Sequence, residues 1–322
     1  MSYYHDCKDY LNISNYYCVG KEITSPITPS LEWQFDEECN DFTVLLSKNK
    51  NMENPVSFSA TSSHHELKNL FAGTTYYYQV KAHLSDKTIL SKRKSFKTVD
   101  FFRTVEISGV YNARDIGNKE TIDGKRVKQG LVYRTANFDS VTPLGKEQAQ
   151  ELGIKTDLDL REQGPTSSPL GDNVNYINNG VSEKGSPLYV SITSGVNSAL
   201  YQPVMRDNLK VFTNKDNFPL AFHCAVGRDR TGTLAITLYL LLGVKLEQIK
   251  QDYVVSFFSK ACNSEDLNGY DSLMDTLLTH YEYYKERENP NGGSIYKRVE
   301  QYCLDIGLTK AEIESIRDNL LE

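Results

Sequence analysis

The hydrophobic positions of residues 20–99 fall in short runs that alternate with turn residues. The runs read SLEWQF, DFTVLLS, PVSFSA, HHELKNL, TTYYYQVKAHL and ILSKRKSFKTV. Each is long enough for a β-strand, and none shows the three-and-four spacing of a helix face. Short strands at this spacing are typical of a small all-β sandwich. Within TTYYYQV, the tyrosines are expected to alternate between core and surface.

After Val99 the pattern changes to strand-like runs that alternate with longer helical segments. A strand with a polar exit is predicted for GIKTDLDLRE, since its apolar and acidic positions alternate. A buried strand is predicted for PLAFHC, which ends at Cys224, and a buried helix for TGTLAITLYLLLGV, which Gly243 closes. This alternation is typical of an α/β domain with a central, mostly parallel sheet flanked by helices.

The chain of 322 residues is longer than one hydrophobic core usually serves. The two patterns therefore predict a multidomain protein, with a β-sandwich and its N-terminal extension in residues 1–99 and an α/β domain in residues 100–322. Near the C-terminus, apolar residues at helical spacing predict one buried helix face that includes Cys303. Cys262 is expected to be a core residue as well.

Composition narrows the range of partners. A net charge of -6 offers no basic surface for nucleic acid. The longest apolar run, Leu234 to Leu242, is far too short to span a bilayer, so no transmembrane segment is expected. No signal peptide is visible, which predicts a cytoplasmic protein by default; removal of a signal peptide would make it secreted or cell-surface.

The six cysteines are widely scattered and form no Cys-x-x-Cys pair. This spacing argues against a zinc site, and no metal or other cofactor is expected. Cys7, Cys18 and Cys39 share the first segment, and the sequence leaves open whether two of them are bridged in an exported protein.

One stretch concentrates candidate chemistry between two apolar runs: AFHCAVGRDRTGT, residues 221–233. Cys224 follows a strand and precedes a helix, whose N-terminus offers N–H groups and positive partial charge that lower a thiol pKa. Gly227 lets the loop curl into an anion-binding nest. Arg230 can bind two phosphate oxygens, and Thr231 can donate to the sulfur. These are the parts that covalent phosphoryl transfer needs.

The loop HCAVGRDRTG resembles the His-Cys-x-x-Gly-x-x-Arg-Thr-Gly signature of the cysteine-dependent protein tyrosine phosphatases. Four further segments, spread over residues 104–322, resemble the bacterial and fungal branch, whose members act on phosphotyrosine and in some cases on phosphoinositides: NARDIGNKETIDGKRVKQGLVYRTA, LGIKTDLDLRE, IKQDYVVSF and LDIGLTKAEIESIRDNLL. Two positions depart from the branch pattern. Asn118 replaces a glycine, and Arg228 replaces the lysine associated with lipid headgroup activity, which weakens the inference about phosphoinositides.

The N-terminal segment, with Trp33 early and Leu70, Gly73 and Thr74 before the tyrosines, resembles a fibronectin type III module. This resemblance implies a spacer or a contact domain for another protein.

The phosphatase resemblance implies hydrolysis of phosphate monoesters, foremost of protein phosphotyrosine, through a cysteinyl-phosphate on Cys224. Arg230 would bind the transferred group, and His223 would hold the loop and tune the thiolate. Arg114 and Asp115 would brace the loop, line the pocket or simply form a turn. The candidate substrate-binding residues are His223, Ala225, Val226, Gly227, Arg228, Thr231, Arg161 and Arg114.

The general acid is not evident from the sequence. Most of the superfamily carries an aspartate upstream of the cysteine, but residues 184–206 contain neither Asp nor Glu. Asp229, inside the loop, and Asp159, at the end of a neighbouring strand, rank first, since the carboxyl ends of parallel strands share one edge of the sheet. Asp157, Asp172 and Glu183 follow.

Three alternatives remain open. The same residues would hydrolyse a phosphoinositide or an inositol phosphate, because pocket depth and rim charge select the substrate. The loop would bind phosphotyrosine without turnover if the missing acid means lost activity. Sulfur transfer of the rhodanese type also uses a cysteine loop at a strand end, although Arg230 followed by Thr231 and Gly232 favours phosphate.

Overall fold

The computed structural model describes residues 29–180, 199–261 and 294–322. The chain forms two compact units. The first unit ends at Arg103 and the second continues from Thr104, slightly after the border predicted from the sequence. Cys7, Cys18, Glu183 and Cys262 lie outside the described residues. None of the helices in the described ranges is long and apolar enough to cross a membrane.

The described part of the first unit consists of β-strands. Each predicted run contains at least one of them, and the last run overlaps two. The strands are β1 (Ser30–Glu32), β2 (Phe42–Ser47), β3 (Val56–Ala60), β4 (His64–Glu66), β5 (Thr75–His83), β6 (Thr88–Leu90) and β7 (Lys94–Lys97). The likeness of this unit to a fibronectin type III module stays a prediction.

The strands of the first unit pair antiparallel in two sheets. One sheet has the order β3-β2-β5-β6, with β7 also on β5, and β1 pairs with β4 in the other. Alternate side chains of β2, Phe42, Val44 and Leu46, point into the core, where they meet Tyr76 and Val80 of β5. The period of two that the sequence shows is therefore the period of core contacts.

The second unit contains strands and helices. The strands are β8 (Arg114–Asp115), β9 (Val132–Thr135), β10 (Thr156–Asp159), β11 (Asn175–Asn178) and β12 (Leu220–His223). The helices are α1 (Pro143–Glu151), α2 (Gln202–Val211), α3 (Asp229–Leu242), α4 (Leu246–Val255), α5 (Ile295–Asp305) and α6 (Lys310–Leu320).

The sheet of the second unit has the order β11-β10-β12-β9-β8. The three pairings β11–β10, β10–β12 and β12–β9 are parallel, and β9–β8 is antiparallel. In this register His223 lies beside Asp159 on one side and beside Thr135 on the other. The residue before Cys224 is thus fixed at the carboxyl edge of the sheet, where α/β folds carry their sites.

Strand β10 differs from its prediction as a strand with a polar exit. Both Asp157 and Asp159 are fully buried. They are accommodated because each has hydrogen-bond donors: His223 and Ser168 for Asp157, and Arg161 and Tyr176 for Asp159.

Helix α3 follows the cysteine loop and is buried from Thr231 to Leu242. Gly243 ends it at φ +80°, a left-handed conformation that glycine adopts without strain. In α5, Val299, Tyr302 and Cys303 are buried, which confirms Cys303 as a core residue.

Candidate active site

Cys224 lies directly after β12, five residues before α3 begins at Asp229, and is 2% exposed. Burial raises the pKa of its thiol, but the hydroxyl and N–H of Thr231, the charge of Arg230 and the N–H of Gly227 together outweigh burial and lower that pKa. The buried hydroxyl of Thr231 has no other hydrogen-bond partner among the described residues. The sulfur is therefore held as a thiolate at lower pH than an ordinary cysteine.

Three successive carbonyls of the loop accept hydrogen bonds from residues outside it. The Ala225 carbonyl accepts from the backbone N–H and the side-chain amide of Asn137, at 3.1 and 2.8 Å. The Val226 carbonyl accepts from the Asn112 amide at 3.0 Å. The Gly227 carbonyl accepts from the same amide at 3.2 Å and from Nη2 of Arg134 at 2.9 Å.

A trans peptide places its C=O and the next N–H on opposite sides. The N–H groups of Val226, Gly227 and Arg228 are consequently directed to the other face of the loop, where the Gly227 N–H stabilises the thiolate. Donors arranged in this way form a cradle for an anion. The part of Val226, Gly227 and Arg228 that this geometry offers to an anion is therefore the backbone N–H group.

Gly227 is required by the path of the loop. Its φ is +71°, and a Cβ at this position would lie 2.3 Å from the carbonyl oxygen of Thr135. A side chain would push the loop off the end of β9, so glycine is needed for both reasons.

Arg230 forms an ion pair that the sequence did not reveal. Its Nη1 lies 2.5 Å from Oε2 of Glu162, and both side chains are largely buried. The other oxygen of Glu162 has no hydrogen-bond partner in the described part of the chain. Burial raises the pKa of the nearby Tyr201. Arg230, Glu162 and Cys224 lie close enough to Tyr201 to act on this pKa as well.

His223 is buried beneath the loop. Its Nε2 lies 2.9 Å from Oδ1 of Asp157 and its Nδ1 lies 3.1 Å from the carbonyl oxygen of Cys224. Burial lowers the pKa of His223. The hydrogen bond and the charge of Asp157 have the opposite and larger effect, so the pKa is raised above its usual value. Because a carboxylate and a carbonyl only accept hydrogen bonds, this geometry is that of a doubly protonated imidazolium that fixes the start of the loop.

Asp159 and Arg161 are engaged with each other. Arg161 donates from Nη2 to Oδ2 of Asp159 at 2.8 Å and from Nη1 to Asp139 at 2.7 Å, while the hydroxyl of Tyr176 donates to Asp159 at 3.0 Å. Burial raises the pKa of Asp159, but the hydrogen bonds from Arg161 and the charge of His223 hold it below its usual range. The guanidinium that the sequence assigns to substrate is thus turned toward two aspartates.

Asp229 opens α3 and pairs with its neighbour in the chain. Its Oδ1 accepts from Nε of Arg228 at 2.8 Å, and its side chain is 22% exposed. The guanidinium of Arg228 also lies 5.8 Å from the centre of the Phe257 ring. Among the first-ranked acid candidates, Asp229 is the one whose carboxylate reaches solvent; Asp172, a lower-ranked candidate, is exposed on a loop.

The side chains of Arg114 and Asp115 are bound to other residues of the protein. Both are fully buried. Arg114 donates to Asp252 and Asn112, and Asp115 accepts from the backbone N–H groups of Gly117 and Gly130. Of the roles left open for this pair, the geometry favours the brace for Arg114 and the turn for Asp115.

The sequence did not indicate a role for five residues near the loop, although all lie in or beside the segments that carry the family resemblance: Asn112, Arg134, Asn137, Glu162 and Asp252.

In the turn that follows Arg114, Asn118 has φ +63°, a conformation that asparagine tolerates in place of the glycine of the branch pattern.

A model of the tyrosine phosphatase family matches residues 105–322. A tyrosine-protein phosphatase of Nostoc commune is 25% identical over 223 residues, which cover 58% of this chain and 73% of that protein. A second relative, from Cupriavidus necator, is inferred by its name to be a tyrosine-protein phosphatase. It is 27% identical over 191 residues, which cover 54% of this chain and 70% of that protein.

Two solved structures are similar at lower identity. TpbA of P. aeruginosa is 15% identical, with 56% of this chain and 96% of TpbA covered and a TM-score of 0.35. The core catalytic domain of the PP-IP phosphatase SIW14 from S. cerevisiae is 18% identical, with 49% and 90% covered and a TM-score of 0.29. The assignment to a family rests on the sequence match over residues 105–322.

Proposed function

The chain belongs to the tyrosine phosphatase family and is a hydrolase, and from this premise we propose that it removes phosphate from protein phosphotyrosine through a cysteinyl-phosphate on Cys224. One observation carries the proposal: Cys224 lies between the end of β12 and the start of α3, beside Thr231, Arg230 and Gly227, which lower its pKa and are the groups that would bind phosphate oxygens. A thiolate at the centre of an anion cradle is positioned to attack a phosphoryl group in line.

In the first step the sulfur of Cys224 forms a bond to phosphorus, and the bond from phosphorus to the tyrosyl oxygen breaks. The leaving oxygen takes a proton from a general acid. The transferred oxygens are bound by the N–H groups of the loop and by Arg230, which stabilise the charge that they carry in the transition state.

We assign the acid to Asp229 rather than to Asp159. Asp159 is fully buried, its oxygens accept from Arg161 and Tyr176, and its lowered pKa makes it a poor proton donor. Asp229 lies in the loop itself and reaches solvent. In the second step its carboxylate takes a proton from water, whose oxygen attacks phosphorus; the bond to sulfur breaks, and phosphate and the thiolate are released.

The names of the Nostoc and Cupriavidus relatives support phosphotyrosine as substrate. The test is phosphate release from a phosphotyrosine peptide, a phosphoserine peptide, a phosphoinositide and an inositol phosphate under one set of conditions. The proposal predicts the highest kcat/KM for the phosphotyrosine peptide. A higher value for an inositol substrate would move the assignment to the lipid or inositol branch, and binding without turnover would end the enzyme assignment.

Asp229→Asn is expected to lower kcat about 10²-fold on an alkyl phosphate and far less on an activated aryl phosphate, since only a poor leaving group needs a proton. Asp159→Asn serves as the comparison, and its loss should be the same for both substrates because Asp159 orients Arg161. Steady-state kinetics on the two phosphates decide between them. A leaving-group dependence in Asp159→Asn and none in Asp229→Asn would reverse the assignment.

A further inference from the structure

A cluster of charged side chains is buried next to the loop that joins Cys224 to α3. Arg114, Arg134, Lys119 and Asp252 are each at most 3% exposed in their side chains. Asp252 lies at 2.6 Å from Arg134, 3.1 Å from Arg114 and 3.4 Å from Lys119. Burial raises the pKa of Asp252, but these cations hold it well below its usual range, so Asp252 is ionised.

Two chains of hydrogen bonds lead from Asp252 to the loop. In the first, Arg134 joins Oδ2 of Asp252 to the carbonyl of Gly227. In the second, Arg114 joins Oδ1 of Asp252 to the side-chain oxygen of Asn112. The amide of Asn112 then donates to the carbonyls of Val226 and Gly227. Both chains therefore end on the carbonyls whose direction sets the loop N–H groups.

The cluster holds more positive than negative charge near the loop. The cations Arg114, Lys119 and Arg134 surround Asp252. A second carboxylate, that of Asp115, also acts on Lys119. Burying ion pairs is costly, and apolar residues of the same size often stabilise a fold as well. The hydrogen bonds that the cluster sends to the loop carbonyls give it a use that packing alone lacks.

We propose that Asn112 and Arg134, held by Asp252, are positioning residues that direct the loop N–H groups toward the phosphoryl group and thereby set phosphate affinity and the acidity of Cys224. This inference rests on the proposed function for its biological meaning. Its test does not require turnover, so the two can fail independently.

The test compares Asn112→Asp with Asn319→Asp. Asn112 has φ +56°, which aspartate tolerates. The new carboxylate still accepts from Arg114, and its negative charge faces a cluster rich in cations. It has no hydrogen to donate, however, so the carbonyls of Val226 and Gly227 lose their donor at this position. Asn319 is the matched control, because its amide also donates to two successive carbonyls, those of Phe212 and Thr213, neither of which belongs to the loop.

Two readouts follow the loop in folded protein. One is the midpoint pH of Cys224 alkylation by iodoacetamide, and the other is the concentration of inorganic phosphate that protects against it. Asn112→Asp is expected to raise the midpoint and to weaken protection about tenfold, the effect of losing one to two hydrogen bonds to the cradle. Asn319→Asp is expected to leave both at the wild-type values.

Arg134→Lys gives a second, independent test, because lysine keeps the charge but its compact ammonium does not reproduce the fork that joins Asp252 to Gly227. It is expected to shift both readouts in the same direction. All variants are measured at a temperature at which circular dichroism shows them folded. Wild-type readouts in whichever of Asn112→Asp and Arg134→Lys folds, or an equal shift in Asn319→Asp, would overturn the proposal.

Discussion

Cys224→Ser is expected to lower kcat/KM for a phosphotyrosine peptide by about 10⁴-fold or more, while the folded protein still binds phosphate. In the proposed mechanism the thiolate of Cys224 is the nucleophile, and groups around the loop lower the pKa of this thiol. A serine hydroxyl is nearly the same size but stays protonated, so the first bond to phosphorus is not formed. Single-turnover kinetics with enzyme in excess measure this loss directly.

Cys303→Ser provides the matched control. Cys303 is fully buried in α5, and burial raises the pKa of its thiol to about 12. Its replacement should lower thermal stability and leave kcat/KM of the folded protein near the wild-type value. Residual activity of Cys224→Ser close to wild type would show that another group attacks phosphorus.

Arg230→Lys is expected to lower kcat/KM about 10³-fold. Arg230 carries a planar guanidinium, and Glu162 holds its Nη1 and so restrains the side chain beside the loop. Lysine keeps the charge but offers a single point donor, so the paired contact with two oxygens is lost. The same kinetics, together with the inhibition constant of inorganic phosphate, measure the effect.

Arg317→Lys is the corresponding control. Arg317 also pairs with glutamates, Glu300 and Glu314, and donates to the carbonyl of Leu241 near the end of α3 that lies farthest from the loop. We expect its replacement to leave catalysis unchanged. Equal losses in both variants would mean that Arg230 acts through stability and not through phosphate binding.

The loop was predictable from the sequence because everything that defines it is local. A buried strand, a glycine at the turn and a buried helix follow one another within residues 219–244, and the structure has β12, Gly227 and α3 there. The strands of the first unit were predictable for the same reason, since alternation within one run is enough to identify a strand.

The residues behind the loop were not predictable in their roles, because their contacts join distant parts of the chain. Asn112, Arg134 and Asp252 reach the loop only through the order of strands in the sheet and the packing of α4. Asp159 shows the same limit: its place at the strand end was visible, but its burial and its bonds to Arg161 and Tyr176 depend on neighbours that periodicity does not identify.

The central claim is a covalent phosphate on Cys224, and the most direct measurement is to trap it. The variant Asp229→Asn, which is expected to slow the attack of water, is mixed with an aryl phosphate. The reaction is quenched in neutral denaturant within the first turnover and digested for mass spectrometry. We predict the added mass of one phosphate on the peptide that contains Cys224, and its absence in Cys224→Ser. Turnover of the aryl phosphate with no phosphate on Cys224, or with phosphate on His223 instead, would contradict the account.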